Sequence, residues 1–182
     1  MPLAKVQKSE WLNIGATRFA EKGLEGINVE QMSRQLNCNK ASFYWHFNSK
    51  EQFFNDMIKH WFNNSVEPIM TTLDAHADPK KRFESFLRTS FKDKSRKDLM
   101  FYLRKLATDR PKLQELLEDL TRKRLEFTVM LLQDLGYSHS DASIKAKILL
   151  NFYIGWYEYN KNKNDSRGIE EAIKLIRDFI KF

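Results

Sequence analysis

Residues 28–51 constrain the fold more than any other part of the chain, because they carry the signals of two short helices around a tight polar turn. Asn28 is a favourable N-cap residue, and Gln31 three positions later makes a variant of the capping box. Apolar residues then recur at helical spacing as far as Leu36. Asn37 tolerates left-handed backbone angles and can end this helix.

The second short helix is predicted to start after Asn39, which is another good N-cap residue. Phe43 and Phe47 lie four residues apart, so both point toward a core. Asn48 and Glu51 form a further capping box, which predicts the start of a long helix. The resulting order of short helix, turn, short helix and long helix indicates a helix-turn-helix, a unit that presents one helix to the major groove of DNA.

Residues 11–58 resemble the DNA-binding domain of the tetracycline-repressor (TetR) family of bacterial transcription regulators. The segments that carry the resemblance are Trp11-Leu12, Phe19, Gly23, Asn28-Val29, Lys40–Phe47 and Ser49–Glu51. The sequence departs from the family at Gly15, Met32, Ser33 and Asn37, where Ala, Ile, Ala and Gly are usual. These departures concern packing and turn geometry rather than positions that face DNA.

Candidate DNA-contacting residues lie on or beside the second short helix and at the flanking helix starts: Asn28, Asn39, Lys40, Ser42, Tyr44, Trp45, His46 and Lys50. A lysine there favours guanine O6 and N7, and an asparagine favours adenine. The resemblance implies phosphate contacts for Tyr44, His46 and Lys50. The alternatives are core packing for Tyr44 and Trp45, a pH-sensitive core histidine, and a solvated surface lysine.

The remainder of the chain is predicted to be helical as well. Only 6 Gly and 4 Pro occur among 182 residues, and apolar periodicities predict an all-α protein with about nine helices. We expect a helix-turn-helix domain at residues 1–48 and a helical effector-binding and dimerisation domain at residues 49–182.

Several helix limits follow from local signals. A break is predicted at residues 75–79, where Asp78 caps a helix with Pro79 at its first position. A later helix ends near Leu135, and Gly136 begins a turn that lasts to Ser140. The next helix is predicted from Asp141 to about Asn162.

The net charge of +7 and the isoelectric point near 9.4 are typical of nucleic-acid-binding proteins. The excess is unevenly distributed, however. Residues 1–60 contain 8 Lys and Arg against 6 Asp and Glu, whereas residues 79–127 contain 15 against 8. The Lys and Arg residues of 79–127 most simply cover solvated helix faces; the alternative is that they form a surface that attracts anions. The motif therefore indicates DNA binding more strongly than the overall charge does.

The helix predicted at 141–162 is apolar around most of its circumference, which predicts burial on most sides. It is either a central core helix or part of a homodimer interface. The resemblance favours the interface, in which the last two helices of each subunit form a four-helix bundle. Such a dimer places two recognition helices roughly 34–36 Å apart and reads a near-palindrome.

The resemblance also implies that a small molecule binds the larger domain and lowers DNA affinity. Candidate ligand-binding residues are Phe86, Met100, Phe101, Leu103, Arg104, Phe127, Met130, Phe152, Tyr153 and Trp156. Each could instead belong to the core. Their aromatic character suggests an apolar or amphipathic effector whose identity the sequence does not give.

The sequence does not indicate an enzyme, a cofactor or a metal site. The four His residues are scattered, the single Cys lacks a zinc-type partner, and no phosphate loop or nucleophile motif is present. No apolar run approaches the ~20 residues of a membrane span. The first residues lack the pattern of a signal peptide, so a cytoplasmic location is expected.

These observations predict a ligand-responsive, sequence-specific transcriptional regulator, a repressor, whose partners are operator DNA, a second copy and an effector. The alternative is a helical interaction protein of the same fold that no longer reads an operator. The retention of Lys40, Tyr44, His46 and Lys50 favours the first function.

Overall fold

The structure is a computed structural model that describes residues 6–72, 78–92, 98–163 and 166–182. Within these ranges the chain forms nine α-helices and one short 3-10 helix at Gly23–Gly26, without strands. The helices are α1 (Lys8–Lys22), α2 (Val29–Gln35), α3 (Lys40–His46), α4 (Lys50–Thr72), α5 (Pro79–Lys92), α6 (Leu99–Ala107), α7 (Pro111–Asp134), α8 (His139–Asn160) and α9 (Ser166–Ile180). The all-α prediction is confirmed.

The chain divides into two compact units. The first, here called the N-terminal unit, contains residues 1–65 and 96–114. The second, here called the C-terminal unit, contains residues 66–95 and 115–182. The functional boundary expected between residues 48 and 49 stays a prediction.

Aromatic side chains form the core of the N-terminal unit. Trp11, Phe19, Phe43 and Phe53 are almost completely excluded from solvent. The rings of Trp11 and Phe43 meet edge to face with centroids 5.3 Å apart, and those of Phe43 and Phe53 are 5.1 Å apart. Because these residues come from α1, α3 and α4, their packing fixes the short α3 against two longer helices.

Gly15 allows α1 to lie very close to α4. A Cβ atom at this position would come within 2.3 Å of Phe53 Cζ and 3.2 Å of Met57 Sδ. Both neighbours are buried, so little space is available for them to move. Gly15, where the family usually has Ala, therefore leaves room for the bulky ring of Phe53 on the facing helix α4.

The core of the C-terminal unit is made by α5, α7, α8 and α9. Its buried side chains include Phe83, Leu132, Ala146 and Ile173. In α9, Ile173, Ile176 and Ile180 recur at helical spacing, which explains why this helix buries one face only.

Most predicted helix limits agree with the structure to within two residues. Pro79 opens α5, and the Asp78 carboxylate accepts a hydrogen bond from Lys80 N–H at 2.9 Å. Gly136 has a positive φ of 96° after α7. The start of α8 was predicted two residues too late, because Ser138 is the N-cap and its hydroxyl accepts from Asp141 N–H. The predicted break at residues 75–77 lies outside the described residues.

Candidate nucleic-acid interface

The turn between α2 and α3 has the backbone conformation that the sequence predicts. Asn37 adopts a φ of +53°, in the left-handed region where asparagine is tolerated. Cys38 N–H then donates to Ser33 O at 3.0 Å, which closes the turn. Partial burial raises the pKa of the Cys38 thiol above its usual value. The thiol is therefore a weak nucleophile at neutral pH.

The two helices of the motif begin with asparagine caps. Asn28 Oδ1 accepts hydrogen bonds from Glu30 N–H and Gln31 N–H at 3.0 and 3.1 Å. Asn39 Oδ1 accepts from Ser42 N–H at 3.1 Å. Both N-caps are confirmed, but the capping box expected from Gln31 is not formed, because Asn28 N–H donates to Gly26 O at 3.0 Å. The cap uses both lone pairs of Asn28 Oδ1 but only one of Asn39 Oδ1, so the DNA contacts predicted for these residues can use the amide N–H donors of both and the second lone pair of Asn39.

The outer face of α3 displays large side chains. Phe43 anchors the helix in the core, whereas Tyr44 is 57% exposed and Trp45 is 76% exposed. The Tyr44 ring rests edge-on against Phe43 at 5.3 Å, which holds it in place while leaving its far end in solvent. Core packing of Trp45, one of the alternatives drawn from the sequence, is therefore wrong.

Lys40 is held by an acidic residue that the sequence did not single out. Its Nζ lies 2.7 Å from Glu30 Oε2, so the pair joins the start of α3 to α2. The same carboxylate accepts a hydrogen bond from Arg34 at 2.8 Å. The hydrogen bond from Lys40 and the charges of both cations hold the pKa of Glu30 below its usual value.

Ser42 and His46 make contacts within the N-terminal unit. Ser42 Oγ accepts a long hydrogen bond of 3.5 Å from Trp11 Nε1. His46 Nε2 donates to Val6 O at 2.9 Å, and Val6 itself is buried. Val6, two residues before α1, thus contacts the last residue of α3. The sequence gives little signal of this contact, because the two residues are 40 positions apart.

Lys50 is exposed at the first position of α4. The capping box at this helix start is shifted by one residue from the prediction of Asn48 with Glu51. Ser49 Oγ accepts from Gln52 N–H at 3.0 Å, and Gln52 Oε1 accepts from Asn48 N–H at 2.9 Å. The ammonium of Lys50 therefore stands beside the positive end of a helix, a suitable position for a phosphate.

The predicted ligand-binding residues fall into two groups. Phe86, Phe127, Met130, Phe152, Tyr153 and Trp156 belong to the C-terminal unit, and Met100, Phe101, Leu103 and Arg104 belong to the N-terminal unit. Phe91 lies between three of the first group, with ring centroids 6.3 Å from Phe152, 5.3 Å from Tyr153 and 4.7 Å from Trp156.

Exposure separates these candidates further. The Phe86 and Phe127 rings meet at 5.7 Å, while Met130 is 43% exposed. On α6, Leu103 is completely buried, whereas Phe101 and Arg104 are exposed. The aromatic candidates around Phe91 and the Phe86–Phe127 pair thus pack with the core of the C-terminal unit, whereas Phe101 contacts Tyr102 in the N-terminal unit with ring centroids 5.4 Å apart.

Five large apolar side chains are exposed on two helices of the C-terminal unit. Ile144, Ile148 and Tyr159 are exposed on α8, and Leu175 and Phe179 are exposed on α9. On α8, Ile148 follows Ile144 by four residues and precedes Tyr159 by eleven, so the three lie on one side of that helix. Leu175 and Phe179, four residues apart, likewise share one side of α9. Gly155 lies on the same side of α8 as Ile144, and a Cβ atom there would meet no other part of the described residues within 4 Å beyond the adjacent backbone of α8. We call these five side chains the α8–α9 stripe.

The described residues contain no group of three or more His, Cys, Asp and Glu side chains that could hold a metal ion. None of the helices in the described ranges combines the length and apolar character needed to span a membrane.

The short helix α3 is anchored in the core, follows a tight turn from α2, and displays cationic and aromatic side chains. This arrangement defines a helix-turn-helix protein. Residues 15–57 match the family model of bacterial regulatory proteins of the TetR family. Over this part of its length, which includes α2 and α3, the chain is therefore similar to that family of bacterial regulators. The relatives it matches are regulators and not enzymes.

Curated relatives show the same similarity over part of the chain. The IcaR negative transcriptional regulator of the biofilm operon icaADBC in Staphylococcus epidermidis is 28% identical over 67 residues, which cover 37% of this chain and 36% of the relative. The transcriptional repressor DhaR of Mycobacterium sp. strain GP1 is 33% identical over 73 residues, which cover 40% and 37%. The aligned part of the chain thus spans little more than a third of the length of these relatives.

Solved structures share the fold along nearly the whole chain. A transcriptional regulator from Rhodococcus sp. Rha1 superposes with a TM-score of 0.77 at 16% identity, covering 96% of both chains. A protein from Saccharomonospora viridis, solved in complex with choline, gives 0.80 at 15% identity over 96% and 95%. A TetR regulator from Haloarcula marismortui gives 0.79 at 13% over 96% of both chains.

Proposed function

We propose that this protein is a ligand-responsive transcriptional repressor that binds a near-palindromic operator as a homodimer. The main support for the proposal is that one side of α3 packs in the core while the other side is exposed. Phe43 fixes the helix in the core, while Lys40, Tyr44 and Trp45 remain on its outer side. Cationic and hydrogen-bonding side chains on a rigid helix suit the base edges and phosphates of the major groove.

Phosphate contacts would position the helix on the duplex. Lys50 at the start of α4 and the exposed hydroxyl end of Tyr44 flank the C-terminal end of α3. Both are donors, and neither needs to leave the core to reach a phosphate. His46 has less freedom, since its Nε2 donates to Val6 O. We therefore propose Lys50 and Tyr44 as the principal phosphate ligands, while His46 holds Val6.

The α8–α9 stripe supports homodimerisation. Five large apolar side chains lie exposed on two helices, and the surface of a monomer rarely leaves such a group uncovered. A second copy can cover the stripe by two-fold symmetry, because an isologous interface brings the same surface of both subunits together. The open space beside Gly155 would allow the two copies of α8 to come close.

The aromatic cluster around Phe91 supports an apolar or amphipathic effector. Phe152, Tyr153 and Trp156 gather around Phe91, and aromatic rings are side chains that bind alkyl groups and organic cations. One structural neighbour was solved with choline, an organic cation. The effector would act by binding more tightly to a conformation with low operator affinity. The names of the two curated relatives favour repression over activation.

An unbiased selection of duplex DNA by the purified protein at near-physiological salt tests the proposal. We expect a two-fold-symmetric motif to be enriched, with half-sites one helical turn apart. Weak retention that is independent of sequence and disappears with added salt would contradict it. The protein would then be a helical interaction protein that keeps the fold without reading an operator.

A further inference from the structure

The exposed carboxylate of Glu30 stands on the surface that we propose faces DNA. Its side chain is 47% exposed, and that of its partner Lys40 is 56% exposed. A carboxylate near the polyanionic duplex lowers general affinity, because it repels phosphates and neutralises a nearby cation. Its presence beside the first residue of α3 therefore calls for a role other than general attraction.

We propose that Glu30 is a specificity-determining residue that directs Lys40 toward base edges and away from phosphates. The inference rests on the proposed DNA-binding function. Its basis is the ion pair itself, in which Lys40 Nζ and Glu30 Oε2 are 2.7 Å apart. Lys40 begins α3, so the pair holds this ammonium at the end of the helix that would contact bases.

The chemistry of lysine explains why such a tether affects specificity. The ammonium is a compact charge on a flexible four-carbon stem, so an untethered lysine can turn to any nearby phosphate. Phosphate contacts add affinity without sequence information. A lysine held beside a carboxylate instead offers a donor next to an acceptor. A G·C pair presents the complementary arrangement in the major groove, namely guanine O6 and N7 beside the cytosine N4 donor.

A purely structural role for Glu30 makes a different prediction. Glu30 lies in the first turn of α2 and pairs with Arg34 four residues later, and both features stabilise a helix slightly. If these were its only functions, its replacement would lower the melting temperature a little. Discrimination between base pairs would not change.

The test compares five forms of the full-length protein: wild type, Glu30→Gln, Glu25→Gln, Lys40→Gln and the double variant Glu30→Gln/Lys40→Gln. Glu25→Gln is the matched control, since it removes one negative charge from an exposed residue of the 3-10 helix in the same unit. Dissociation constants are measured by fluorescence anisotropy at several salt concentrations. The duplexes are the selected operator, its single base-pair variants and an unrelated duplex of equal length.

We expect Glu30→Gln to bind the unrelated duplex about three- to tenfold more tightly than wild type. The slope of log affinity against log salt concentration should become steeper by about 0.9 for each side chain, freed from Glu30, that then contacts a phosphate. Discrimination at one base pair of each half-site should fall about tenfold, within the range of a single base contact. Glu25→Gln should leave this discrimination unchanged. With Lys40→Gln already present, Glu30→Gln should cause no further loss, because the two residues act as a pair.

Two results would overturn the inference while leaving the proposed function intact. Glu30→Gln could behave like Glu25→Gln on every duplex, or its loss of discrimination could persist in full in the Lys40→Gln background. A wild-type protein that prefers no duplex would instead overturn the proposed function, and this inference with it. Equal melting temperatures of Glu30→Gln and Glu25→Gln would show that a change in stability does not cause the difference in their DNA binding.

Discussion

Replacement of Leu175 by Ala tests the proposed dimer at the α8–α9 stripe. Leu175 is 54% exposed in the single chain. Complete burial of a leucine contributes about 1.5–3 kcal/mol, so burying the exposed half adds about 1 kcal/mol per subunit. Two-fold symmetry places the residue in the interface twice, which makes the total about 2 kcal/mol. We therefore expect the dissociation constant of the dimer to rise about 30-fold.

The monomer should tolerate this change. Alanine is the best helix former, so α9 loses no helical propensity. The opposite side of α9 remains attached to the core through Ile173, Ile176 and Ile180. The matched control is Leu24→Ala, since Leu24 is 41% exposed on the 3-10 helix of the N-terminal unit.

Sedimentation velocity over a dilution series measures the effect. Wild type and Leu24→Ala should dissociate over the same concentration range, and Leu175→Ala should dissociate at about 30-fold higher concentration. Affinity for a full operator should fall along with dimerisation, whereas affinity for a half-site should not. An unchanged dimer in Leu175→Ala, or an equal loss in Leu24→Ala, would refute the assignment of this surface.

Three further changes test the DNA-binding domain. Lys50→Gln should weaken binding to all duplexes and flatten the salt slope by about 0.9, because one phosphate contact is lost. Lys59→Gln on the same helix is the control. An equal salt slope for the two variants would contradict the assignment of Lys50 as a phosphate ligand. Asn39→Ala should lower the free energy of unfolding by about 1 kcal/mol in urea titrations through loss of the α3 cap, and Asn39→Ser should restore it. Gly15→Ala should destabilise the protein, because overpacking costs about 1–3 kcal/mol against about 1 kcal/mol gained in helix propensity. Phe53→Leu should reduce that penalty, and a stabilised single variant would show that Phe53 can move aside.

The sequence predicts the existence of the helices well because their signals are local. The cap at Asn28, the left-handed turn at Asn37 and the opening of α5 at Pro79 each depend on a few adjacent residues. Helix starts were displaced where several capping residues occur in succession. Both Asn48 and Ser49 can cap α4, and it is Ser49 Oγ that accepts the capping hydrogen bond from Gln52 N–H.

Contacts between distant residues could not be predicted in the same way. Glu30 and Lys40 pair across the turn, and His46 meets Val6 over a separation of 40 residues. No periodicity relates these positions, because their proximity depends on the angle between helices. The exposure of Trp45 was equally undecided by the sequence, since a tryptophan at that position suits either a core or a surface.

The shortness of α3 explains why its residues have more than one function. A helix of seven residues is far below the ~12–15 residues at which isolated helices become marginally stable, so α3 exists only because its surroundings hold it. Phe43 supplies the packing, and Asn39 supplies the cap. Lys40 is paired across the turn to α2. Two of the residues proposed to contact DNA, Asn39 and Lys40, therefore also help to maintain the helix. Variants of Asn39 or Lys40 will consequently change both stability and DNA binding, and only comparison of melting temperature, salt slope and base preference can separate the two effects.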